Sequence, residues 1–451
     1  MKRQLRRTLR KRIRLTSSEI PANHKLGCSK NTVDTEHLLS QVKDAWRIVP
    51  ENEICPVDVL LINTCGFIGD AKEESIQTIL SAAERKKSGE VGRLMVFGCL
   101  SQRYMSQMPE LIPEVDFWFG ARDLDPIVKA LGCVPAKNPA RLRTDNRAYA
   151  YLKISEGCDR RCSYCAIPFI RGAHRSVPME SLVVEAEALA RDGVKELILI
   201  AQDTTYYGLD LYKRRALAEL LRKLSEIDGI EWIRIHYSYP ADFPEDVLDE
   251  MADNPKVCKY LDIPLQHIAD KVLDKMHRHV DGEWTRTLVR KLRERVPGVA
   301  LRTTMIVGHP GEGKKEFAEL LDFVREARFE RLGAFKYSEE EGTFGAENYR
   351  DSVPRKEKER RLEELMKTQS GISLAFNESR VGNVERVMVD DYADGVLICR
   401  SQYESPEVDG EIVVRYEGQE FGGTPAEELC GRFIDVKITG ADEYDLIAEP
   451  V

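Results

Sequence analysis

Cys158, Cys162 and Cys165 stand in the run Gly157-Cys-Asp-Arg-Arg-Cys-Ser-Tyr-Cys165, directly after the apolar segment Tyr149-Ala-Tyr-Leu-Lys-Ile154. Whatever the fold, it must deliver three thiols to one tight loop at the end of a buried strand. A tetrahedral zinc site would require a fourth Cys or His at finger or ribbon spacing, and none lies nearby. Three thiolates on one loop suit a cubic iron–sulfur cluster that keeps one iron open.

A second set of thiols follows the same logic on separate segments. Leu61-Ile-Asn-Thr-Cys65 and Met95-Val-Phe-Gly-Cys99 each read as a buried strand, then a small or turn residue, then a cysteine, and Leu26-Gly-Cys28 ends alike. Ligands of an open parallel sheet gather beyond the carboxyl ends of its strands, so Cys28, Cys65 and Cys99 are candidates for a second three-thiolate site.

The C-x3-C-x2-C spacing resembles that of the radical S-adenosylmethionine superfamily, and with the second triad the chain resembles its methylthiotransferase family. The matching stretches are Leu26 to Glu36, Ile62 to Ser75, and Gly157 to Arg171-Gly172. They look most like the RimO branch, which modifies ribosomal protein S twelve, rather than the MiaB branch, which modifies transfer RNA. The resemblance implies two [4Fe-4S] clusters, one on Cys158, Cys162 and Cys165 that also chelates S-adenosylmethionine, and an auxiliary one on Cys28, Cys65 and Cys99 that carries the sulfur. It places Tyr164 near the adenine, Gln202 near the methionine part of the cofactor, and Gly308 and Glu312 in the glycine-and-glutamate segment of the fifth strand. It further implies a deoxyadenosyl radical that removes hydrogen from the β-carbon of a substrate aspartate, and a flavodoxin- or ferredoxin-type electron donor. Two rivals stay open: the same chemistry on transfer RNA, and a non-catalytic iron–sulfur RNA-binding protein. One stretch departs from the family. Ser18-Glu-Ile-Pro-Ala-Asn-His-Lys25 has a proline and polar residues where a buried strand should lead into Cys28. Either the first strand is short and irregular, or this amino terminus is not the family's.

At 451 residues the chain has room for about three domains. Eleven cysteines in a long, charged chain without a signal peptide read as thiol and metal chemistry in a reducing, cytoplasmic setting. Cys55, Cys133, Cys258, Cys399 and Cys430 show no ligand spacing and are expected to be small buried hydrophobes. No apolar run approaches the roughly 20 residues that span a bilayer, so no membrane partner is expected. Residues 1–23, opening with the basic run Met1 to Arg14, read as a disordered extension.

The expected fold class is α/β. Residues 24–135 alternate apolar strands with helical stretches such as Ala71 to Lys87, as in a parallel sheet. Residues 136–146 break the rhythm and form a linker candidate. Residues 147–375 resume it, with strand candidates Tyr149–Ser155, Glu196–Ala201, Ile230–His236, Lys259–Pro264, Leu301–Val307 and Arg331–Tyr337. Six units predict a partial (β/α)6 barrel with its site at the carboxyl strand ends. A helix is predicted over Val177 to Asp192, capped by Ser176 and stopped by Gly193. Residues 376–451 read as a small antiparallel, OB-like barrel, similar to the TRAM module of the family.

Gly308-His-Pro-Gly-Glu-Gly-Lys314-Lys315 nearly spells a phosphate loop, but Lys315 replaces the hydroxyl that would hold magnesium, which rejects nucleotide hydrolysis. His236, His267, His277 and His279 are too scattered for another metal site. From residue 376 onward six Lys and Arg face eighteen Asp and Glu. Such a module repels nucleic acid and attracts a basic protein, so no direct nucleic-acid substrate is expected.

Overall fold

A computed structural model describes residues 11–17, 28–50, 53, 55–137, 139–145, 147–418 and 421–451. The chain divides into two compact units, one of residues up to 145 with 156–160 and 165–174, the other of the remainder.

Five strands form the sheet of the first unit: β1 (Arg12–Ser17), β2 (Arg47–Ile48), β3 (Val57–Thr64), β4 (Val91–Gly98) and β5 (Phe117–Trp118). They run in the order β2-β1-β3-β4-β5 with every pairing parallel. In β3 only Asp58 is exposed, as expected of a strand covered on both faces. The predicted helix over Ala71 to Lys87 spans Gly69–Lys87.

β1 corrects the expectation of a disordered extension through residue 23. Its Ile13 is fully buried, packs with Leu38, Val59 and Leu61, and pairs in register with Val59. The flanking arginines do not oppose a strand because they find acceptors: Arg12 N–H donates to Asp58 Oδ2 at 2.6 Å, and the Arg14 guanidinium reaches the Glu53 carbonyl. The segment leading into Cys28, residues 18–27, lies outside the described residues, as do residues 1–10. The linker candidate is pinned rather than loose. Arg141 is ion-paired with Glu36, and Thr144 N–H donates to the same carboxylate at 3.1 Å.

In the second unit β6 (Tyr149–Lys153), β9 (Glu196–Ile200), β10 (Trp232–Ile235), β11 (Val257–Asp262), β12 (Ala300–Val307) and β13 (Arg331–Lys336) form one parallel sheet in chain order. The short β7 (Ser155–Glu156) and β8 (Arg175–Ser176) flank the cysteine loop in the chain. All six strand candidates are present with shifted ends, and the sheet stays open with β6 and β13 at its edges. The helix after the loop runs Met179–Arg191, and Ser176 does not cap it. Instead Ser176 Oγ donates to Asp210 Oδ1 at 2.6 Å and accepts from Gly208 N–H at 2.9 Å.

The same unit ends in a closed barrel, β14 (Val384–Ala393), β15 (Val396–Arg400), β16 (Ile412–Arg415), β18 (Leu446–Pro450) and β17 (Phe433–Ala441) in ring order. It is not wholly antiparallel, since β16 and β18 pair in parallel. A ring of five strands cannot alternate direction throughout, so one pairing must be parallel. Of the five unassigned cysteines, Cys258 and Cys399 are buried, Cys55 and Cys133 half-buried, and Cys430 is exposed. Cys430 follows the short surface helix Ala426–Leu429, whose Ala426 and Leu429 face the barrel core, which leaves the next side chain outside. Among the described residues no helix is long and apolar enough to cross a membrane.

Candidate functional site

Thr64 and Gly98, the last residues of β3 and β4, are register partners, so Cys65 and Cys99 leave neighbouring strands side by side. Two glycines permit this approach. A Cβ on Gly66 would lie 2.6 Å from the Leu100 nitrogen, and Gly98, at φ +101°, would drive one into Thr64 and Asn63. Cys28 precedes the helix Ser29–Val42 and its carbonyl accepts from Asn31 and Thr32. Side chains stitch that helix to the strand ends. Asn63 Nδ2 donates to the Asn31 carbonyl at 3.0 Å and Thr35 Oγ1 at 3.1 Å, and Thr64 Oγ1 donates to the Phe97 carbonyl at 2.6 Å.

Cys65 and Cys99 are buried, Cys28 half-buried. The Cys65 thiol is pushed up to about 12 by burial and by the facing Cys28 and Cys99. Cys99 is raised by burial, against the pull of Arg171. Gathering the three sulfurs as thiolates calls for positive charge, and a metal cluster supplies it. Part of that charge is built in. Arg171, at the end of the helix Ile167–Arg171, donates from Nε to Cys99 Sγ at 3.3 Å.

The loop of Cys158, Cys162 and Cys165 has its own supports. Gly157 is at φ +79°, where a side chain would strike the Ala173 carbonyl, and Cys158 N–H donates to the Gly172 carbonyl at 3.1 Å. All three thiols are half-buried. The buried Arg278 donates from Nη1 to Cys162 Sγ at 3.4 Å and to Tyr164 Oη at 3.5 Å, while its Nη2 holds the Pro264 carbonyl at 2.6 Å. Among the described residues no three His, Cys, Asp or Glu side chains stand closely enough to hold one metal ion. A cubane asks for wider spacing, because each thiolate binds a different iron.

Tyr164 packs with Ala269, Val272 and Met276, and its ring meets His309 edge-on at 6.4 Å. Gln202 lies just past the end of β9. Gly308 takes φ +77°, in a turn that Glu312 holds: Gly308 N–H donates to Glu312 Oε2 at 2.8 Å, and Arg361 pairs with Glu312 Oε1 at 2.6 Å. Glu312 thus shapes the turn, with both oxygens engaged. His236 and His267 are buried, and His236 is bonded to Ser405 at 2.9 Å; His277 is half-buried and His279 exposed.

Sequence reasoning missed Arg171 and Arg278 as thiol partners. Arg171 lay within a matched stretch, but a hydrogen bond to Cys99, far away in the chain, leaves no local signal. Nothing around Arg278 marked it.

Residues 152–324 match the radical SAM superfamily, residues 22–120 the Uncharacterized protein family UPF0004, and residues 381–451 the TRAM domain. The chain is 49% identical over 431 residues to a ribosomal protein uS12 methylthiotransferase RimO of Porphyromonas gingivalis, covering 94% of this chain and 98% of the relative. A protein of the same name from Bacteroides fragilis is 48% identical over 427 residues, 94% and 97% of the two chains. Among solved structures, the radical S-adenosylmethionine methyltransferase TsrM from Kitasatospora setae, with cobalamin and a [4Fe-4S] cluster bound, aligns at TM-score 0.52 and 13% identity over 91% of this chain and 83% of that one. That likeness is one of fold.

Proposed function

The chain belongs to the RimO family of ribosomal protein uS12 methylthiotransferases, and we propose that it adds a methylthio group to the β-carbon of an aspartate of that ribosomal protein. What supports the reading is the second set of thiols: Cys65 and Cys99 leave neighbouring parallel strands side by side, and Cys28 opens the helix that Asn63 ties to those strand ends, separate from the triad on the loop after β7. Radical generation alone would need only the loop triad.

Cys158, Cys162 and Cys165 would hold the cluster that binds S-adenosylmethionine, and Cys28, Cys65 and Cys99 would hold the auxiliary one. When bound, these groups supply a carbon radical able to remove hydrogen from an unactivated C–H bond, and a carrier for the sulfur that replaces it. Arg278 fixes the Cys162 sulfur and the Tyr164 ring, and Tyr164 would face the adenine. Gln202 would contact the methionine part. Gly308 offers backbone in a turn that Glu312 keeps in shape through Arg361. Burial of Cys65 and Cys99 keeps water from the auxiliary thiolates. A flavodoxin- or ferredoxin-type protein delivers the electron.

The test is methylthiolation by the anaerobically reconstituted enzyme, with purified uS12 and purified transfer RNA offered separately and products read by mass spectrometry. A methylthio group on a uS12 aspartate is expected. Modification of transfer RNA instead would replace the substrate, and no cofactor cleavage at all would remove the radical assignment.

A further inference from the structure

We propose that Arg171 is the counter-cation of the auxiliary cluster, a positioning residue that raises the cluster's reduction potential and fixes the Cys99 sulfur. The inference rests on the reading that Cys28, Cys65 and Cys99 ligate that cluster.

The guanidinium is engaged on every side. Nε donates to Cys99 Sγ at 3.3 Å, Nη2 to Asn31 Oδ1 at 2.6 Å, and Nη1 reaches Asp34 Oδ2 at 2.8 Å, Glu156 Oε2 at 3.1 Å and the Ala121 carbonyl at 3.2 Å. Its side chain is 2% exposed. Asn31 and Asp34 belong to the helix that begins just after Cys28, so one group spans the Cys28 and Cys99 segments. Its backbone is pinned as well. Arg122 donates to the Phe169 and Ile170 carbonyls, and Gly172, at φ +82°, ends the helix.

Asp34 and Glu156 alone could account for a buried arginine, since buried charges need partners. They do not account for Nε facing a sulfur. A cation bonded to a ligating thiolate in a water-poor site favours the more negative, reduced state of a cluster. Lysine preserves the charge but not the fork that holds Cys99, Asn31 and Asp34 together. The helix Ile167–Arg171 follows Cys165 closely. Thus the segment that carries the cofactor-binding triad also supplies the charge for the other triad.

The test uses the full-length chain with Cys158, Cys162 and Cys165 replaced by alanine, so that only the auxiliary site can load. Arg171, R171K and R171M forms are compared by iron and sulfide content and by one-electron redox titration with dithionite, followed by electron paramagnetic resonance. R171M should load but be reduced about tenfold less readily, a midpoint about 59 mV more negative, with R171K between it and the parent. R171M failing to load while R171K loads would also support the proposal, because charge is then the decisive property. An unchanged midpoint in loaded R171M overturns it. So does equal failure of R171K and R171M, by misfolding or by lack of iron. If the parent itself holds no iron, the auxiliary-cluster reading fails and this proposal goes with it.

Discussion

Glu196, the first residue of β9, and Arg400, the last of β15, form an ion pair at 2.8 Å in which neither side chain is more than 2% exposed. It opens a series in which residues 400–409 meet the parallel strands. Arg234 also pairs with Glu196, at 2.7 Å, and donates to the Gln402 carbonyl. Glu404 takes Arg331 at 2.9 Å and Arg380; Tyr260 Oη donates to Asp409 at 2.7 Å. The small barrel is thereby joined to β9, β10, β11 and β13 through paired charges rather than apolar contact alone. Two carboxylates that composition counts toward an acidic surface, Glu404 and Asp409, are buried in these contacts, while the exposed Glu407 is ion-paired with Arg147.

Breaking one partner of such a set leaves a buried charge unpaired. Glu404→Gln should cost about 3–5 kcal/mol, read as a lower midpoint in urea unfolding. Burial opposes ionisation of Glu404, but Arg380 and Arg331 outweigh it and hold its carboxyl well below the usual range. A carboxyl lowered in the folded state stabilises fully above its unfolded value of about 4.3 and loses that contribution as pH falls toward the folded one. Unfolding followed against pH should therefore show acid lability beginning near pH 4 to 5, with a smaller slope in Glu404→Gln.

The two triads should separate in iron content. The Cys158, Cys162 and Cys165 triple alanine variant should keep about half the iron and sulfide, since three thiolates still ligate their own cluster, and lose all cofactor cleavage. The Cys65→Ala, Cys99→Ala variant should still cleave cofactor but attach no sulfur. Loss of cleavage in the latter, with its loop cluster intact, would contradict the division of labour.

How far this arrangement was legible follows from the range of each signal. Apolar runs such as Leu197–Ile200 announce buried strands because a strand covered on both faces needs little but hydrophobes. The cysteine ends of β3 and β4 were visible for the same reason. β1 was not, because Arg12 and Arg14 hide a strand whose decisive residue is Ile13, and their compensation by Asp58 and Glu53 is tertiary. Ser176 matched a helix cap locally, yet Asp210 and Gly208 claim its hydroxyl. Several ion pairs of residues 400–409 join distant positions, Glu404 to Arg331, Arg400 to Glu196 and Glu407 to Arg147, and composition alone made them look like surface charge.

β1 has a direct test. Ile13 is fully buried against Leu38, Val59 and Leu61, so Ile13→Ala should destabilise the first unit by about 2–5 kcal/mol. Deleting residues 1–17 removes a central strand of the sheet and should abolish auxiliary iron loading. Normal iron content after that deletion would show that the strand is dispensable.

Substrate choice should appear as a salt effect. With Glu404 and Asp409 turned inward, the carboxylates left at the surface of the small barrel include Asp391, Asp394, Glu427, Glu428, Asp435 and Asp445. Nucleic-acid affinity comes largely from Lys and Arg neutralising phosphates, and this face offers the opposite sign. A basic ribosomal protein is instead steered toward it, through charges that act on the association rate more than on the final affinity. Replacing Glu427 and Glu428 together by lysine should slow association of the full-length chain with uS12 by about tenfold at low salt, with the difference shrinking as screening rises. Surface plasmon resonance across a salt series measures it. Because these side chains are exposed and carry no core contacts, folding should be unaffected, and an unchanged association rate would place the docking surface elsewhere on the chain.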